Sequence, residues 1–141
     1  MTNDQIRRSL VYHLTSSWGT CTLIARPNRT FEPPSADLID TNYKQPNCFI
    51  QYFIRMTPTV AKEIKGVALR YGVLMIEINQ PLETATNIGN QLADRMEAAF
   101  RQDDLGGVQI GEPYSIELGE LQDGSFYRFM VNIPFSCWVG E

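Results

Sequence analysis

Two apolar periods alternate along the chain. Ile6, Leu10, Leu14 and Trp18 recur every fourth residue, with Val11 alongside and Arg7, Arg8, His13 and Ser16 off the stripe or at its edge. That spacing predicts a helix. Thr2 and Gln5 stand at capping-box spacing, Asp4 at the positive end of the helix dipole, and Gly19 where a C-cap is expected. Ile88, Leu92, Met96 and Phe100 form a second such stripe, with Thr84 or Thr86 before it as the N-cap.

The other period is two. Tyr127, Phe129, Val131, Ile133, Phe135, Cys137 and Val139 alternate strictly, although Met130 and Trp138 put apolar groups on the opposite side. Pro134 within this run points to an edge position or a bulge. Phe49–Met56 and Gly66–Ile78 predict two more strands, the second apolar on both sides at Val73-Leu74-Met75-Ile76 and bent at Gly72. Val108–Leu118 predicts a fourth, interrupted near Gly111 and Pro113, with Asp123-Gly124 turning the chain into the last strand. Cys21–Ala25 is a β-prone run too short to assign, and Thr57–Lys65 reads as a connector.

The expected fold is α+β, in the order α-β-β-α-β-β. It is a four-stranded mixed or antiparallel sheet with both helices on one face and a long loop after the first helix. Residues 1–141 read as one domain, long enough to bury roughly two-thirds of the unfolded surface.

Between Arg26 and Asn47 periodicity is lost among Pro27, Pro33, Pro34 and Pro46. A loop of this length in a small domain usually binds something or is disordered. Phe31, Leu38, Ile39 and Tyr43 are more than a solvated linker needs. The segment reads as an arm for a partner or as an Ω-loop folded on its own domain. Fully extended it would reach about 70 Å at ~3.3 Å per residue.

Charge sharpens the picture. Residues 1–70 hold nine Lys and Arg against five Asp and Glu, a balance of +4; residues 71–141 hold three against eleven, a balance of −8. The basic residues are scattered, unlike a nucleic-acid arm. The split permits solvated charges that mix on folding, or a head-to-tail contact between copies. The first residues are polar with no signal-peptide core, and the longest aliphatic run is four residues, so neither signal-dependent secretion nor a helical membrane span is expected. Cys21, Cys48 and Cys137 are odd in number and far apart, which fits free buried thiols better than a disulfide framework.

Catalytic chemistry is hard to find. His13 is the only histidine and has no evident partner. No GxSxG, P-loop, HExxH or GxGxxG occurs, and Asp103-Asp104 and Glu117/Glu120 look like solvated turn carboxylates. The expectation is a protein that is not an enzyme and has no cofactor or metal.

The segment Tyr71-Gly72-Val73-Leu74-Met75-Ile76-Glu77-Ile78-Asn79-Gln80-Pro81, running into Asn87-Ile88-Gly89-Asn90-Gln91-Leu92-Ala93-Asp94-Arg95-Met96 and Phe100, resembles the middle of the phage tail terminator (tail completion) family. Leu82–Thr86 replaces the glycines usual in that family between the proline and the helix. The element order matches over most of the chain. The resemblance implies a structural virion protein at the tail–neck junction, a hexameric ring of identical subunits that caps the tail tube. Its partners would be the major tail tube protein and a head-side connector or neck protein. DNA would pass through the lumen without sequence-specific binding, and no membrane is involved. Candidate contact residues for neighbours or tube are Arg26, Arg29, Phe31, Leu38, Tyr43 and Lys44 on the loop, and Lys62 and Lys65 on the connector. The alternatives are another phage neck or head-completion protein, and a small cytosolic enzyme or ligand-binding α+β domain.

Overall fold

A computed structural model describes residues 2–34, 42–57, 60–64, 67–82, 87–101, 104–120 and 126–140. Helix α1 covers Asn3–Trp18 and helix α2 Asn87–Ala99. The strands are β1 (Leu23–Ala25), β2 (Phe49–Met56), β3 (Val60–Ile64), β4 (Val67–Pro81), β5 (Asp104–Leu105), β6 (Val108–Ile110), β7 (Tyr114–Glu120) and β8 (Phe126–Gly140).

The four-stranded sheet expected from the sequence is not what forms. Among the described residues, all eight strands join one sheet in the order β1-β2-β4-β8-β6-β5, with β3 also on β4 and β7 also on β8. Each extra strand has a local cause. The connector after β2 keeps the direction of β2 and pairs its 60–64 segment with the start of β4, antiparallel as β2 is. The 108–118 run breaks at Gly111–Pro113 into β6 and β7, which pair with different parts of β8. Pro134 lies opposite this break and not on an edge strand. Its carbonyl accepts from Gly111 N at 2.8 Å, so its missing N–H also falls where no strand needs it. Cys21–Ala25 yields β1, parallel to β2, and Asp104–Leu105 yields β5.

The spine is the β4–β8 pair, antiparallel over fifteen residues from Val67↔Gly140 to Pro81↔Phe126. Gly72 is regular within it and makes no bulge. It leaves room for the Phe135 ring, which an added Cβ would meet at 2.4 Å.

Alternation along this pair sorts the two faces of the sheet. Leu74, Ile76 and Ile78 of β4 and Phe129, Val131, Ile133 and Phe135 of β8 point to one face and are buried. Both helices lie there, contributing Ile6, Leu10, Leu14 and Trp18 from α1 and Leu92, Met96 and Phe100 beside α2's last turn. Each such side chain contributes about 1.5–3 kcal/mol on full burial. The capping box at Thr2 and Gln5 starts α1, and Gly19 closes it at φ 57°. The residues expected to cap α2 (Thr84, Thr86) lie outside the described residues, as does the Asp123-Gly124 turn.

The sheet curls around α1. Ser9 and His13 border Leu105 and Gly106 at one end, while Asn3 and Arg7 border Ile54 and Met56 at the other. His13 ties the helices together. Its Nε2 meets the Ala99 carbonyl, and its ring packs edge-on against Phe100 at 4.8 Å. Arg95 of α2 lies over the Trp18 ring at 5.7 Å.

Candidate functional site

The helices cover the concave face of the sheet and leave most of the convex face bare. Phe53 and Arg55 of β2, Tyr71, Val73, Met75, Glu77 and Asn79 of β4, and Met130 and Asn132 of β8 share the convex parity, with Tyr114 and Ile116 beside them on β7. A water-facing side of an antiparallel sheet normally carries polar residues. Here Phe53, Tyr71, Tyr114, Ile116 and Trp138 are each 41–50% exposed. Val73, Met75, Met130 and Pro134 fill the space between at partial burial. A contiguous exposed apolar surface of this kind marks an interaction site more often than a free one.

One end of this face is covered by the chain itself. The backbone leaves β1 at Ala25, turns through Asn28 in a left-handed conformation (φ 59°), and lays Phe31 on Phe49 with ring centroids 5.0 Å apart. Phe49 meets Phe126 edge-on at 5.0 Å. These rings and Ala25 form a second, small core on the convex side. Under the arm runs a cleft of about 400 Å³, with Arg26, Arg29 and Phe53 at its rim and Gln51, Glu77 and Asn79 lining it. Gln51 Nε2 donates to Glu77 Oε1 at 2.8 Å. Asn79 is 1% exposed, and neither its Oδ1 nor its Nδ2 has a hydrogen-bond partner. Its cross-strand neighbour is Arg128, whose Nε is likewise buried and unpartnered. Buried polar groups without partners cost roughly 1–3 kcal/mol each.

A second cleft, of about 520 Å³, lies between α1 and the same arm. Arg7 and Arg8 face Arg26 and Arg29 across it, with Tyr12 and Tyr52 between. Only Arg8 has an acidic partner among the described residues, Asp4 at 3.0 Å, both largely exposed. Such a surface pair contributes at most a few tenths of a kcal/mol, so the cleft stays basic.

The contact residues read from the sequence separate into groups. Arg26 and Arg29 are exposed on the arm and line both clefts, and Phe31 anchors the arm. Tyr43 is half-buried and Lys44 exposed, near α1's C-terminus, where Lys44 N donates to the Thr20 carbonyl at 3.0 Å. Lys62 falls on β3, while Leu38 and Lys65 lie outside the described residues. The structure therefore brings Arg26, Arg29 and Phe31 together and sets Tyr43 and Lys44 apart from them. The convex-face residues Phe53, Tyr71, Tyr114, Ile116 and Trp138 were missed as a site. Their signal was in the sequence, as strands apolar on both sides, and it resembles the pattern of a strand buried on both faces.

The three cysteines are buried. Burial pushes the Cys48 thiol up to about 11, helped by nearby Cys21. No group of three or more His, Cys, Asp or Glu side chains converges among the described residues.

No family model matches the sequence, and no curated protein matches it. Thirteen chains of solved structures do match. One of them superposes with a TM-score of 0.68 over 100% of this chain and 99% of its own, at 14% identity. Likeness at that identity shows a shared fold and carries no function across.

Proposed function

We propose that this protein is a structural subunit that closes into a ring on the end of a phage tail tube, ends tube growth and forms the joint to the head-side connector. The observation that carries this reading is the bare apolar convex face of the sheet, centred on Phe53, Met75, Met130 and Ile116. A monomer leaves that face in water, whereas an assembly covers it. The tail-terminator resemblance of the Tyr71–Phe100 segment names the assembly, and the basic clefts and acidic second half supply complementary surfaces.

The test is assembly in vitro. Purified chain added to polymerising tail tube protein should stop elongation at substoichiometric amounts and appear as a ring at one tube end. Met130→Lys with Ile116→Lys should abolish this while the chain stays folded. Tubes that grow to unlimited length in the presence of the native chain would refute the reading. Removing residues 28–43 should likewise abolish capping, and tails of normal length with attached heads after that deletion would remove the arm from the mechanism.

A further inference from the structure

The two sides of the sheet end in unpaired strands of opposite surroundings. On one side β1 pairs only with Phe49–Gln51, so the outer edge of β2 from Tyr52 to Met56 has no strand beside it among the described residues. Open clefts flank that edge, bordered by Arg7, Arg8, Arg26 and Arg29. On the other side β7 pairs only with β8, and its outer edge is free among the described residues. Every β7 residue except Gly119 is exposed. The stretch Tyr114–Glu120 contains no Pro, Lys or Arg, and its register irregularity falls between Glu117 and Gly119, which leaves Tyr114–Glu117 as a regular edge. Its charges are Glu117 and Glu120, on the concave parity, the same side of the sheet as α1 with Arg7 and Arg8.

We infer that β7 of one copy pairs with the free β2 edge of the next, so that neighbouring subunits join by continuing one sheet. The direction follows from the topology. β2, β4, β8 and β7 are successively antiparallel, so β7 runs opposite to β2. Rotation about an axis along the strands preserves the sense of each strand. The new pair is therefore antiparallel, and because it joins two different edges it is head-to-tail, the type of contact that closes into rings. Ile116 then meets Phe53 on the convex side, which sets Glu117 opposite Tyr52, at the basic cleft lined by Arg7, Arg8, Arg26 and Arg29 on the concave side, and ends the contact before Glu120, because β1 already pairs with β2 from Phe49 to Gln51. The occupant of each edge is thus a second copy of this chain, selected by charge. This inference rests on the ring reading and specifies how its subunits touch.

The experiment mixes Phe53→Cys chains with Ile116→Cys chains under assembly conditions and oxidises them; both positions are exposed and the native cysteines are buried. A covalent dimer holding one of each chain, absent from either chain alone, is the expected result. In parallel, Arg7→Glu and Glu117→Arg should each weaken assembly about ten-fold, and the two together should restore it. Rings that form with no mixed dimer, or with Ile116→Cys self-dimers instead, would overturn the edge pairing and leave the ring reading standing. Failure to form rings under any condition, tube ends included, would overturn both.

Discussion

Gly89→Ala probes how α2 is seated. In an exposed helix the change would stabilise by about 1 kcal/mol, because alanine is the better helix former. Here Gly89 is buried against the sheet. An added Cβ would stand 2.0 Å from Phe129 Cε2 and 2.6 Å from Gln80 Oε1, the oxygen that accepts Gly89 N–H at 2.7 Å. Ordinary carbon–carbon contact is about 3.5–4.0 Å, so the ring must retreat by more than ~1 Å. Phe129 is 2% exposed and held between strands, leaving little space to move into. Overpacking of this kind costs roughly 1–3 kcal/mol, occasionally more. Loss of the Gln80 hydrogen bond adds about 1. After subtracting the helix-propensity gain, the net expectation is destabilisation by about 1–3 kcal/mol. That lowers Tm by roughly 3–12 °C for a chain of this size. Urea and thermal unfolding measure it. Adding Phe129→Leu to Gly89→Ala should recover part of the loss, although Phe129→Leu alone destabilises through the space it leaves. A neutral or stabilising Gly89→Ala would show that α2 does not rest on Phe129, and the helix–sheet packing described above would be wrong.

Other consequences are quicker to check. His13→Leu removes the partner of the Ala99 carbonyl and should cost about 1–2 kcal/mol by urea unfolding. Asn79→Val replaces an unpartnered buried carboxamide with a strand-favouring apolar group and should stabilise the isolated chain by about 1–2 kcal/mol. Loss of stability would mean that Asn79 is satisfied in the native protein. Burial raises the Cys48 thiol from 9.0 to about 11, so the unfolded chain gives up that proton first. Stability should be constant below pH 9 and fall between pH 9 and 11, with Cys48→Ala showing a shallower decline. Cys21 and Cys137 are raised in the same direction, mainly by burial, and steepen the fall.

Much of the framework was legible because each helix states its buried face once per turn. Ile6–Trp18 and Ile88–Phe100 read directly as stripes, and β8 as an alternation. What was not legible was how often the strands break and return. Pairing is a long-range choice, so nothing near residues 60–64 announces that they continue the pairing of β2 along β4. Gly111 and Pro113 warned of an interruption without showing that the two halves pair with separate stretches of β8. Val73-Leu74-Met75-Ile76 resembled a strand covered on both sides, yet Val73 and Met75 open onto the bare face. Apolar residues on an open face look the same in sequence as those needed for a core. The arm residues Arg26, Arg29 and Phe31 were singled out because a proline-rich loop with aromatic groups has no other obvious use, and they line or anchor the same arm. Asn79 could not have been found, since its lack of a partner exists only once β4 and β8 are paired.

The ring itself is the central claim, and native mass measurement tests it most directly. The purified chain would be measured alone and after incubation with tail-tube ends. A closed oligomer of fixed subunit number, in solution or only on the tube end, is the predicted result. A chain that stays monomeric in both conditions would contradict it.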